Sequence, residues 1–264
     1  EYLNNALLVA GNYKTAEGAE VPPSQWPVTP VWTSIWLQEE LQNFGFAEVD
    51  TAFFTAETYN AGIDNAPIIS SSWNEGVGLV NYRGWGDANG WHKPYFHKEE
   101  ALELNNGWKL PIVMSFVCNT GDFGNDYSGT GLDKCFGEVL TTAGSIQSPK
   151  GAAAMVGPSD LDTDTRFNNV LCGAIWDDLL EGRQNELAPA LHVGKQALIT
   201  EFGEGYQVSG AGGTSNLAEF YHHVYGILGD PSLSVWLKEP QRMSANINNS
   251  HGIDNSFINL TISD

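Results

Sequence analysis

Cys118 directly follows the apolar run Pro111-Ile112-Val113-Met114-Ser115-Phe116-Val117 and directly precedes Asn119-Thr120-Gly121-Asp122. A thiol in that place could attack a carbonyl carbon if a proton acceptor stood within hydrogen-bond reach. Without such a partner a free cysteine is a small buried apolar residue. A second run, Gly76-Val77-Gly78-Leu79-Val80-Asn81-Tyr82, leads into the turn Gly84-Trp85-Gly86, with His92 and His97 a little further on. The chemistry asks for an imidazole near the sulfur and not for a fixed offset, so either histidine could serve, and each could equally be a solvated loop side chain.

Two acidic loops follow. Asp160, Asp162 and Asp164 alternate in Ser159–Arg166, spaced like the start of a Ca²⁺ loop but without its glycine or closing glutamate. These carboxylates could select a basic side chain, while Arg166 favours an acidic or polar one. The loop 121–133 offers Asp122, Asn125, Asp126 and Asp133 as hard oxygen ligands suited to Ca²⁺. Cys135 and Cys172 read as packing residues. His222 and His223 are adjacent on a helix and diverge, and no Cys/His set has zinc-site spacing.

The elements that must hold these groups alternate. Strands are expected at Ala6–Ala10, Ala47–Phe54, Gly76–Tyr82, the run before Cys118, Gly151–Gly157 and Leu233–Leu237. Helices are expected at Val31–Phe44, near Ile63–Asn65, Lys98–Leu104, Cys135–Ala143, Asn168–Leu180, Ala190–Thr200 and Ala218–Ile227. This order predicts an α/β, doubly wound, mostly parallel sheet flanked by helices over residues 1–238. In such sheets ligands bind at the carboxyl ends of the strands, where Cys118 falls. Composition shifts after Lys238-Glu239-Pro240, and 239–264 alternates polar and apolar residues like the beginning of an all-β module. The chain opens almost inside a strand, so a piece of a longer multidomain protein is expected.

Bulk properties narrow the function. Of 264 residues, 42% are hydrophobic and 11% aromatic, as in a folded domain. Twelve Lys+Arg against 32 Asp+Glu give a formal charge of −20, which argues against nucleic acid and against anionic membrane surfaces. No apolar run reaches the ~20 residues needed to span a bilayer. Three cysteines are too few for a disulfide scaffold. No Gly-x-Gly-x-x-Gly follows the first strand, so a dinucleotide-binding enzyme is disfavoured.

Several motifs in order resemble the gingipain-type cysteine peptidases, relatives in fold of caspases and legumains. They are Leu79-Val80-Asn81-Tyr82-Arg83-Gly84-Trp85-Gly86 with a later Trp91, Leu110-Pro111-Ile112, Val117-Cys118-Asn119-Thr120-Gly121-Asp122-Phe123, Cys135-Phe136-Gly137-Glu138 and Leu228-Gly229-Asp230-Pro231-Ser232-Leu233. The resemblance implies a caspase–hemoglobinase-like fold followed by the start of an Ig-like domain. It also implies a secreted or cell-surface bacterial endopeptidase acting on peptide or protein substrates, with structural Ca²⁺. Cys118 would be the nucleophile, Gly84, Gly86 and the Cys118 amide the oxyanion donors, and Trp85, Trp91, Asp162, Asp164 and Arg166 the substrate pocket. Glu17 could orient the imidazole.

The family places its catalytic histidine between two glycines, and here that residue is Trp85. An indole N–H donates but accepts no proton at neutral pH. Three readings follow: His92 is the base, His97 or a more distant histidine is, or the chain is an inactive homologue. In the last case its cleft and an aromatic rim of Trp85, Trp91, Tyr95 and Phe96 bind peptide or glycan.

Overall fold

A computed structural model describes residues 2–16, 19–124, 134–210, 212–240, 244–247 and 260–263. Six strands form the central sheet: β1 (Asn5–Gly11), β2 (Glu48–Phe54), β3 (Leu79–Arg83), β4 (Ile112–Phe116), β5 (Ala154–Pro158) and β6 (Tyr225–Leu228). Their order is β6-β5-β4-β3-β1-β2, parallel throughout except for the antiparallel edge strand β6. This is the α/β architecture read from the sequence. Strands β3, β4 and β5 are buried along their whole length, which is why they read as continuous apolar runs.

Helices cover both faces. On one side lie α1 (Thr29–Phe44), α5 (Thr165–Leu180), α6 (Leu187–Phe202) and α7 (Leu217–Val224); on the other, α2 (Ala66–Glu75), α3 (Lys98–Glu103) and α4 (Phe136–Thr142). Strand β1 shows the division residue by residue. Ala6 and Leu8 join Leu37, Phe116, Leu171 and Trp176, whereas Leu7 and Val9 join Trp73, Tyr82, Trp91 and Phe136. Helix α1 stops at Gly45, whose φ of 110° suits a residue without a Cβ. Asp164 caps α5 by accepting the Arg166 N–H at 2.8 Å.

Three expected elements differ. Residues 233–237 form no strand, and Ser234 makes an isolated bridge to Glu186. The closing strand is β6, carved from the end of the helix expected to run to Ile227. The apolar spacing of Leu217, Tyr221, Val224, Tyr225 and Leu228 continues a helical stripe, so nothing local marks where it unwinds. The open edge of β5 decides it, pairing Met155 with Leu228 and Pro158 with Tyr225. Likewise 63–65 is not helical, and α2 begins at Ala66, followed by Pro67 in its first turn, where a missing N–H costs nothing. Ser244–Ile247 and Leu260–Ser263 pair antiparallel. No described helix is long and apolar enough to cross a membrane.

Candidate functional site

Arg83 and Phe116 lie opposite each other at the last paired position of β3 and β4. Two residues further along each chain come Trp85 and Cys118, so sheet register alone brings the indole and the thiol to one edge. The register is reinforced by Arg83, which is fully buried. Its guanidinium donates to Phe116 O and to Thr165 O, each at 3.0 Å, and to Asn169 Oδ1. One cation thus ties the ends of both strands to the start of α5. The loop after β5 is fastened to the same edge by Asn119 N–H to Asp160 O at 3.0 Å and Gly121 N–H to Pro158 O at 2.9 Å.

These attachments frame a cleft of about 360 Å³ lined by Trp85, Cys118, Leu161, Asp162, Thr163, Asp164, Arg166, Phe167, Gln207, Val208 and Ser209. Its far wall is a hairpin of Gln207–Gly210 with Gly213–Asn216. A Cβ on Gly210 would lie 2.1 Å from Asp162 Oδ2, so a glycine is required where hairpin and loop meet. A larger hollow of about 460 Å³ between Phe44, Leu179 and Trp236 carries neither cysteine nor histidine. The smaller cleft is the one that holds the partly exposed thiol of Cys118.

Cys118 is half-buried. Its sulfur meets Thr163 O and Thr163 Oγ1, both at 3.8 Å. Burial pushes the thiol's pKa above its ordinary value; the Thr163 hydroxyl works against this, and Asp162 and Asp160 add to it. Cys135 and Cys172 are buried and pushed up to about 11 and about 12, consistent with packing roles.

Among the described residues no imidazole lines the cleft. The His92 ring belongs to a separate cluster, with Nδ1 3.3 Å from His97 Nε2 and Nε2 3.7 Å from Asp87 Oδ2. Its amide does reach the cleft wall, donating to Trp85 O at 2.9 Å. Trp85 itself lines the cleft, with Lys14 Nζ 5.5 Å from its ring centroid.

Of the residues read as a substrate pocket, Trp85, Asp162, Asp164 and Arg166 share this cleft. Trp91 does not: it is fully buried, stacked on Tyr82 at 4.4 Å and donating to Ser115 Oγ at 3.0 Å. Phe96 is buried beside it, and Tyr95 lies over His97, so the expected aromatic rim reduces to Trp85. Arg166 spreads its guanidinium over Phe167, 4.4 Å from the ring centroid. Gly84 and Gly86 are absent from the lining. A Cβ on Gly84 would fall 2.6 Å from Tyr82 Oη, and one on Gly86 2.4 Å from Gly90 O, so close packing accounts for both.

Asp122 is buried, while Asn125, Asp126, Asp133 and Glu17 lie outside the described residues. Among the described residues no three metal-ligating side chains cluster. Sequence reasoning missed Thr163 and the hairpin wall; the Gly210, Gly212 and Gly213 turn was the available signal for the latter.

The sequence profile of Peptidase family C25 matches residues 1–236. Gingipain R2 of Porphyromonas gingivalis is 26% identical over 179 residues, which is 65% of this chain and 22% of the relative. Gingipain R1 of the same organism is 25% identical over 179 residues, 65% of this chain and 16% of that protein. The crystal structure of the Arg specific cysteine proteinase gingipain R superimposes with a TM-score of 0.72 at 19% identity, over 94% of this chain and 51% of that one. The complex of the gingipain pro- and mature domains gives 0.71 at 19% identity, over 94% and 52%. The chain spans about a fifth of the length of these curated relatives. With the profile matched from Glu1 to Trp236, the chain belongs to Peptidase family C25.

Proposed function

We propose that the Cys118 cleft receives a peptide segment and holds it without cleaving it. The observation that carries this reading is the cleft's composition: Trp85 stands beside Cys118 where the family has its histidine, and burial keeps the thiol protonated. A protonated thiol is a poor nucleophile, and an indole cannot take its proton. Membership in a peptidase family supports peptide or protein as the ligand class. The ligand would lie between the Leu161–Arg166 loop and the Gln207–Ser209 strand.

Hydrolysis is the second reading, favoured by the His92 amide bond to Trp85 O, which keeps one imidazole next to the cleft wall. In that reading Cys118 attacks the carbonyl, His92 shuttles the proton, and Gly84, Gly86 and the Cys118 amide hold the oxyanion. The wider assignment is a secreted or cell-surface protein with structural Ca²⁺ at Asp122, Asn125, Asp126 and Asp133, in which 239–264 begins an Ig-like domain of a longer chain.

A mixed peptide library, assayed with Ca²⁺ for both binding and cleavage, separates the readings. Binding without cleavage by wild type supports the first. Cleavage that disappears in Cys118→Ala establishes the second. No binding by either protein refutes both.

A further inference from the structure

The Cys118 cleft carries three charged side chains, Asp162, Asp164 and Arg166. Two carboxylates against one guanidinium would suit a basic ligand if all three were equally available, and their contacts show that they are not. Asp164 Oδ1 accepts the Arg166 N–H at 2.8 Å, so this carboxylate caps α5 and sits at the positive end of a 16-residue helix. Asp162 lies along the hairpin, since a Cβ on Gly210 would stand 2.1 Å from its Oδ2 and 2.4 Å from its Cγ. Asp160 accepts the Asp162 N–H at 2.8 Å and lines the neighbouring hollow, not the cleft. Each carboxylate of the loop is thus already set against backbone.

Arg166 is the opposite case. Its guanidinium lies 4.4 Å from the Phe167 ring centroid and 6.0 Å from that of Tyr206. Among the described residues this guanidinium makes no hydrogen bond and comes within ion-pair distance of no carboxylate, although Asp162 and Asp164 are close in the chain. Stacking fixes the plane of the fork on an aromatic face and leaves its N–H edge open. The group that matches such an edge is a carboxylate, which accepts two parallel N–H bonds. Because the side chain is already held, less rotamer freedom is lost on binding. The hairpin wall adds no charge, contributing Gln207, Val208 and Ser209. A second cation, Lys14, stands over the Trp85 ring.

We propose that the Cys118 cleft selects a peptide bearing a carboxylate, which Arg166 receives through both N–H edges of its fork beside Phe167. This names the ligand of the proposed peptide-binding cleft and rests on that reading. The carboxylate comes from an Asp or Glu side chain or from a free C-terminus, which present the same pair of oxygens. It is seated at the start of α5 and not at the sulfur, where Asp160 and Asp162 both act on Cys118 and would repel an anion. The formal charge of −20 repels acidic peptides from the molecule as a whole. At about 0.15 M salt that field is screened beyond roughly 8 Å, so the local guanidinium decides.

Peptides of one sequence, carrying Glu, Gln or Lys at the central position and a free or an amidated C-terminus, are titrated into the whole chain by fluorescence anisotropy at about 0.15 M salt. The carboxylate-bearing form should bind about fivefold tighter than its neutral counterpart. Arg166→Gln should remove that difference, and Arg166→Lys, a point charge without the fork, should keep part of it. A gain of Glu over Gln assigns the carboxylate to a side chain, and a gain of the free over the amidated end assigns it to the C-terminus. Equal affinities in both comparisons, tightest binding by the Lys peptide, or a difference that survives Arg166→Gln overturns the proposal. If no peptide binds, the proposed function fails, and the Arg166 side-chain ¹⁵Nε–H resonance titrated with acetate still tests this inference. A saturable shift of that resonance upholds the carboxylate seat, and a resonance that stays still overturns it.

Discussion

At the sulfur of Cys118 the decisive quantity is where its proton sits. Desolvation and the Asp160 and Asp162 carboxylates favour the thiol, and the Thr163 hydroxyl offsets them only in part. Replacing the indole by an imidazole supplies what the site lacks. Trp85→His should lower the thiol pKa and so raise the thiolate fraction at pH 7. The second-order rate of Cys118 alkylation by iodoacetamide at pH 7 should then rise about tenfold or more. An unchanged rate would mean that the two positions do not communicate. Trp91 makes the opposite case, a residue whose aromatic character suggested binding but whose stacking on Tyr82 and tilted contact with Phe96 make it core. Trp91→Ala should destabilise the fold by about 3–5 kcal/mol, read from denaturant unfolding.

Among the elements, the strands leading to the site were legible because burial on both faces leaves a continuous apolar signature ending in polar turns. Ala6–Ala10 and Pro111–Val117 announced β1 and β4 in this way, and the placement of Cys118 at the sheet's carboxyl edge followed. The hairpin wall was not legible. Gln207–Gly210 is polar and mostly exposed, so no burial pattern is written into it, and only its meeting with Asp162 brings it to the cleft. Nor could spacing tell that His92 pairs with His97: five residues apart in a hairpin they meet only through the pairing of Gly90–Trp91 with Phe96–His97. The α5 start is a further testable element. Asp164 both caps the helix and lines the cleft, so Asp164→Ala should cost about 1 kcal/mol of stability and loosen peptide binding in the same variant. Unfolding and binding measured on one preparation check both effects.

For the whole molecule, stability carries the imprint of the histidine pair. Both imidazoles are depressed in the folded state, so between their folded values and about pH 6.5 the unfolded chain binds more protons than the folded one. Stability is therefore full above about pH 6.5 and is lost as pH falls through that range. The urea midpoint should drop between pH 7 and 5.5, and His97→Gln should flatten that slope; an identical slope in the variant contradicts the assignment. The fold as a whole is that of a C25 domain, and a family fold does not by itself carry the family's reaction. Here the family scaffold is in place, and the cleft holding Cys118 is lined by the Trp85 indole and, among the described residues, by no imidazole.

The most direct test is the pH dependence of Cys118 alkylation in the native protein, with the adduct mapped by mass spectrometry. The account predicts a rate that keeps rising with pH to a half-maximum above about 8.5, the value of a free cysteine. A rate already level below pH 7 would show a resting thiolate paired with a base and would contradict the account.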